Sequence, residues 1–248
     1  MPSSDKSPNL GSVELAITYS CNNRCPNCVT QCAQAPATLH ITPDMLGKFI
    51  DDCNESCFFP GHISIHGGEP VMNPDIVELM KMLMAWRAEV KPSMILWLLT
   101  NDSCTEIREA VAEIEALGIP IGRATKEGAN QVDGVWIPYI PVNVSPTDQD
   151  LPYELGCFQS WDCGVCYNYA GWFPCSSAGS MHRLFDWAKP ICTSAKDLTV
   201  ERIRASYPTF CKHCGFARDK MSKECRVVRQ TTTPTWQKAF DQYRAAHP

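Results

Sequence analysis

The sequence lacks the features that would direct it to a membrane or to nucleic acid. Its longest uninterrupted apolar run, residues 94–99, is far shorter than the roughly 20 residues a bilayer-spanning helix needs. No run of Lys and Arg exceeds two residues and the net charge is −5, so the long-range attraction used by phosphate-backbone binders is missing. The opening stretch, MPSSDKSPNLGS, has no apolar segment of the kind a secretory leader carries. No internal repeat or low-complexity segment interrupts the chain. These absences lead to the expectation of a cytoplasmic protein without a membrane or nucleic-acid partner. What is present is ordinary for a globular chain: 248 residues, 44% hydrophobic and 20% charged, enough for a main domain with a smaller appendage.

Cysteine is the exception, at 15 residues. A reducing cytosol keeps thiols unpaired, so metal ligation is the better default than disulfides. The cysteines fall into groups between Cys21 and Cys32, between Cys157 and Cys175, and between Cys211 and Cys225. Cys53, Cys57, Cys104 and Cys192 stand apart and read as small buried hydrophobes.

The first half of the chain alternates two periodicities. Strand-like runs cover 13–19, 62–66, 94–100 and the stretch from 119 to 123; helical spacing covers 43–53 after Thr42 as N-cap, 74–90, and 105–117 up to Gly118. The nearly continuous apolar run at 94–100 reads as a strand covered on both faces. Strand alternating with helix implies a parallel sheet, and such sheets place their sites beyond the C-terminal ends of the strands. Cys21, the turn from Gly67 to Pro70, and Thr100 with Asn101 all fall there. The pattern weakens from 127 to 152, with one candidate strand at 139–144, which places a domain boundary near 150. Beyond it the sequence predicts a Trp/Tyr-rich hairpin turning at Ala170 and Gly171, a short helix at 200–206 and a terminal helix at 234–246. Tyr167, Tyr169, Trp161 and Trp172 are expected to pack around the second cysteine group, and Trp236, Phe240 and Tyr243 to dock the last helix. No role is assigned to His66, His182 or His213.

Cys21, Cys25 and Cys28 have CxxxCxxC spacing in a loop after a strand. Three thiolates so spaced can wrap one corner of an iron–sulfur cubane and leave the fourth iron open. Zinc competes, with Cys32 as fourth ligand. In the His66-Gly67-Gly68-Glu69-Pro70 segment, the glycines permit close backbone approach to a ligand and Glu69 offers an acceptor to an ammonium group. Thr100 and Asn101 end the third strand as candidate polar contacts or as a turn.

These residues resemble the radical S-adenosylmethionine (SAM) superfamily, whose CxxxCxΦC loop follows the first strand of a partial (β/α)6 barrel and whose GGE motif binds the SAM amino group. The Φ position, usually aromatic or aliphatic, is Asn27 here. The resemblance implies an α/β, TIM-like partial barrel over 1–150, a [4Fe-4S] cluster on Cys21, Cys25 and Cys28, and SAM held by Gly67, Gly68, Glu69, Pro70, Thr100 and Asn101. It further implies cleavage of SAM to a 5′-deoxyadenosyl radical and a one-electron donor such as flavodoxin or ferredoxin.

The second cysteine region resembles the Twitch domain, a shortened SPASM domain with an auxiliary [4Fe-4S] cluster. The resemblance places it at 151–230, with 231–248 as a helix packing on the core. Four of Cys157, Cys163, Cys175, Cys211 and Cys214 would hold that cluster. A zinc ribbon from Cys163, Cys166, Cys211 and Cys214 is the alternative, since spacing does not distinguish iron from zinc. The leading expectation is an enzyme acting on a small polar metabolite such as an amino sugar. A ribosomally made peptide is the other substrate class, and a non-catalytic zinc-binding interaction module is the reading from a different class.

Overall fold

The computed structural model describes residues 7–25, 28–123, 145, 155–217 and 232–247. The first strand, β1 (Ser12–Thr18), is followed by α1 (Pro43–Glu55), β2 (His62–Gly67), α2 (Ile76–Val90), β3 (Ile95–Thr100), α3 (Thr105–Ala116) and β4 (Ile121–Arg123). Then come β5 (Val165–Asn168), β6 (Gly171–Phe173), α4 (Ser176–Met181), α5 (Val200–Phe210) and α6 (Pro234–Ala246). Local chemistry sets the boundaries. The Thr42 side chain accepts from Met45 N at 3.3 Å and caps α1, whose first residue is proline. Gly118, at φ +83°, follows the end of α3 in the left-handed region.

The strands form one six-stranded sheet in the order β4-β3-β2-β1-β5-β6. All neighbours are parallel except β5 and β6, the hairpin that extends the sheet beside β1. The architecture is therefore α/β with a largely parallel sheet. No helix of the described residues is long and apolar enough to cross a membrane.

Alternation along the strands divides the residues between two faces. Val13, Leu15 and Ile17 of β1, Ile63 and Ile65 of β2, and Leu96 and Leu98 of β3 pack with Leu46 and Phe49 of α1 and Leu79, Met80 and Leu83 of α2. Burying each of these large side chains stabilises the fold by about 1.5–3 kcal/mol. Tyr167 and Trp172 join this cluster, with Phe49 and Tyr167 ring centroids 4.7 Å apart. On the opposite face, Ala16, Cys166 and Phe173 are covered by Ala178 and Met181 of α4 and by Trp236 and Phe240 of α6.

That second cover does not extend over β3. Ile95 is 56% exposed and Trp97 38% exposed, whereas Leu96 and Leu98 are fully buried. The expectation of a strand covered on both faces is thus corrected: among the described residues the helices shield one face, and Ile95 and Trp97 on the other are exposed. Of the four isolated cysteines, Cys53 and Cys192 are buried, but Cys57 is exposed and Cys104 sits half-buried at the start of α3. The candidate strand at 139–144, the boundary near 150, Asn27 and Cys225 lie outside the described residues.

Candidate active site

Three strand-end loops meet at one edge of the sheet. Gly68 N donates to Thr18 O and Glu69 N to Ser20 O, both at 2.8 Å, so the β2 loop lies against the chain leading to Cys21. A Cβ at Gly68 would stand 2.0 Å from Ser20 O and 3.1 Å from the Cys21 Cβ. The glycine is required by the neighbouring protein backbone itself, a reason nearer at hand than approach to a ligand. Glu69 is fully buried: one carboxylate oxygen accepts from the Thr100 hydroxyl at 2.9 Å and the other from Asn101 N at 2.7 Å. Asn101 Nδ2 reaches Asn22 Oδ1 at 2.8 Å and Cys21 Sγ at 3.9 Å. Pro70 is buried at the start of the next turn.

The rest of the cysteine loop is pinned from below. Thr30 donates its hydroxyl to Gly67 O at 3.0 Å and lies 3.4 Å from Cys28 Sγ and 3.3 Å from Cys32 Sγ. A hydrogen bond from Cys32 holds the Cys28 thiol well below its ordinary value, and the same bond pushes Cys32 up. Arg183 donates to Ala35 O and Thr30 O at 2.6 Å each and stacks on the Tyr19 ring at 4.1 Å. Ser180 donates to the Gln31 side chain, where the backbone takes a φ of +52°.

A second group of thiols lines a small pocket of about 20 Å³: Cys157, Cys175, Cys211 and Cys214, enclosed by Met181, Tyr207, Phe210 and Phe216. Burial pushes Cys157 up to about 11 and Cys175 and Cys211 well above the ordinary thiol range, and the neighbouring thiols add to the effect. Shifts in this direction favour the neutral thiols, and among the described residues no three His, Cys, Asp or Glu side chains are placed to hold a metal ion. Cys163 and Cys166 do not line this pocket; Cys166 is fully buried on β5. Tyr167 and Trp172 pack toward α1 and Tyr169 against Tyr19, so the aromatic wall comes instead from α5 and the turn after Cys214. Trp236 of α6 donates to His213 O at 2.7 Å, between the two pocket cysteines Cys211 and Cys214.

Residues 11–119 match a protein family described as a 4Fe-4S single cluster domain. That span contains the loop from Cys21 to Cys28, the Gly67-Gly68-Glu69 turn and the Thr100-Asn101 strand end. The fold is similar to that of BtrN in complex with AdoMet and 2-DOIA, with a TM-score of 0.51, 16% identity and coverage of 91% of this chain and 95% of that one. The family match spans less than half of the chain, and the likeness to BtrN is one of fold. Lower scores are found for selenomethionine BtrN in an open conformation (0.46, 18% identity, 92% and 96% coverage) and for anSMEcpe with AdoMet and the Cp18Cys peptide (0.47, 10% identity, 95% and 96% coverage). No curated protein matches the sequence.

Glu14 escaped the sequence reading, and His66 was left there without a role. Glu14, on β1, lies with its Oε1 4.0 Å from Nε2 of His66, on β2. Burial pushes Glu14 up to about 7 and His66 down to about 4. An acidic residue inside the apolar run of β1, at the parity opposite to Val13 and Leu15, was the available signal.

Proposed function

We propose that the chain is a radical SAM enzyme that oxidises or otherwise modifies a small polar metabolite. Cys21, Cys25 and Cys28 would hold the [4Fe-4S] cluster by three thiolates, leaving one iron for the amino and carboxylate groups of SAM. When bound, these cofactors supply a 5′-deoxyadenosyl radical that takes a hydrogen atom from the substrate. Gly67 and Gly68 hold the SAM-binding turn against the cysteine loop. Thr100 and Asn101 orient the Glu69 carboxylate, the acceptor assigned to the SAM ammonium group. Pro70 stiffens the turn.

Cys157, Cys175, Cys211 and Cys214 would close an auxiliary [4Fe-4S] cluster within the 151–230 segment, with Cys163 left outside. Its proposed work is to accept an electron from the substrate or to anchor it. The electron donor would be of the flavodoxin or ferredoxin class, and the compartment the reducing cytoplasm. The 2-DOIA bound by BtrN favours the small-molecule class over a peptide.

The observation that carries this reading is Asn101, which reaches Cys21 through its side chain and Glu69 through its backbone. Anaerobic purification tests it. Iron and sulfide with absorbance near about 400 nm, and 5′-deoxyadenosine on addition of dithionite and SAM, are expected. Zinc alone, in a protein that does not cleave SAM, would favour a zinc-binding module instead.

A further inference from the structure

The loop that carries Cys28 is held by a cation from a distant part of the chain. Helix α4 follows directly on Cys175, and every one of its residues is buried. Its end reaches the loop: Ser180 donates to the Gln31 side chain, and the Arg183 guanidinium donates from Nη1 to Ala35 O and from Nη2 to Thr30 O. Two donors in a fixed fork are what a guanidinium provides and an ammonium does not. The guanidinium carbon stands 4.1 Å from the centroid of the Tyr19 ring. Tyr19 is itself fixed: it is buried, its hydroxyl accepts from Asn168 Nδ2 at 2.9 Å, and it lies two residues before Cys21. Arg183 thus touches both arms of the cysteine loop.

The charge on Arg183 is not answered by the described residues. Among them its partners are two neutral carbonyls and a ring, no carboxylate forms an ion pair with it, and its Nε is buried without a hydrogen-bond partner. A half-buried cation without a counter-charge costs free energy unless an anion lies near. The position suits an anion on the cysteine loop. Thr30, whose carbonyl Arg183 holds, has its hydroxyl 3.4 Å from Cys28 Sγ and 3.3 Å from Cys32 Sγ. That chain of contacts keeps the guanidinium within about 10 Å of Cys28, inside one Debye length at ordinary salt.

We propose that Arg183 is a positioning residue for the SAM-cluster loop and that its charge eases reduction of the cluster held there. This rests on the radical SAM reading above. A [4Fe-4S] cluster on three thiolates is an anion, and an electron from the flavodoxin- or ferredoxin-class donor makes it more negative. A fixed cation beside it therefore favours the reduced form and raises the potential. No bond is made or broken and no proton moves; the donor is oxidised by the one electron that the cluster gains. A residue that only tied the loop down would leave the potential where it is for as long as the iron is held.

The test is a redox titration of the anaerobically reconstituted full chain, followed by electron paramagnetic resonance on the signal that changes when SAM is added. Wild type is compared with Arg183→Lys, Arg183→Gln and Arg183→Met, with iron and sulfide counted on the same samples. Lysine keeps the charge without the fork, glutamine keeps a donor without the charge, and methionine keeps neither. Arg183→Gln and Arg183→Met are expected to shift the potential to more negative values, and Arg183→Lys to stay close to wild type. Both neutral variants at the wild-type potential with full iron, or Arg183→Lys shifted as far as Arg183→Met, overturn the charge role and leave the enzyme reading standing. Iron taken up by Arg183→Lys and by neither neutral variant supports it; iron taken up by none of the three overturns it, because the fork is then what the loop needs. A wild-type protein with no SAM-responsive signal overturns the enzyme reading and this inference with it.

Discussion

Replacing Gly68 by alanine is the sharpest probe of how the two motifs are joined. The added Cβ would meet Ser20 O at 2.0 Å, Ser20 C at 2.7 Å and the Cys21 Cβ at 3.1 Å. Two of these atoms are backbone, so no rotamer change relieves the clash; the loops must separate by about 1 Å. Separation loosens the bonds from Gly68 N to Thr18 O and from Glu69 N to Ser20 O. Overpacking at about 1–3 kcal/mol, with two weakened hydrogen bonds at about 1 kcal/mol each, gives a loss of about 3–5 kcal/mol. Two controls isolate the clash. Gly118→Ala meets nothing within 4 Å and bears only its φ of +83°, a loss of about 1 kcal/mol. Gly47→Ala, inside α1 with nothing within 4 Å, is expected to stabilise by about 0.5–1 kcal/mol. Urea unfolding of the three apo variants, with iron counted after reconstitution, reads both effects. If Gly68→Ala loses no more than Gly118→Ala and takes up its full iron, the contact between the glycine turn and the cysteine loop is not what holds the cluster site together.

Three further outcomes are expected. Asn73→Ala removes a buried amide that donates to Ile17 O and Ile41 O at 2.9 Å each, and thermal or urea unfolding should show a loss of about 2–4 kcal/mol. Alanine at Cys157, Cys175, Cys211 and Cys214 together should halve the iron content and spare cleavage of SAM, whereas alanine at Cys21, Cys25 and Cys28 should abolish 5′-deoxyadenosine formation. Glu14 and His66 should give opposing pH dependences of stability. The Glu14 value rises on folding from 4.5 to about 7, so its contribution is present below pH 4.5 and lost as pH climbs to 7; the His66 value falls from 6.5 to about 4, so its contribution is present above pH 6.5 and lost as pH drops to 4. Each is worth about 3 kcal/mol. Glu14→Gln should therefore leave stability rising with pH over this window, His66→Gln should leave it falling, and identical slopes in both would refute the assignment.

The strand ends and the motifs on them were readable because both are local properties. Apolar periodicity located α1, α2 and α3, and each glycine or cysteine loop was seen to follow a strand. Helix α6 falls on the residues that periodicity marked, since Trp236, Phe240 and Tyr243 share one face. What escaped depends on register. The row of Glu14, Ser64 and Trp97 exists only once β1, β2 and β3 are aligned, and the run at Ile95–Thr100 looks buried on both faces until the missing cover is seen. Spacing likewise left Cys163 a rival, because only the folded chain shows which thiols line the pocket with Tyr207 and Phe210.

The central claim is an iron on the Cys21, Cys25 and Cys28 site left open for SAM. Electron paramagnetic resonance of the dithionite-reduced protein, recorded before and after SAM is added, tests it most directly. The account predicts a SAM-dependent change in the cluster signal that survives alanine at Cys157, Cys175, Cys211 and Cys214 and disappears with alanine at Cys21, Cys25 and Cys28. A signal unmoved by SAM in the wild-type protein would contradict it.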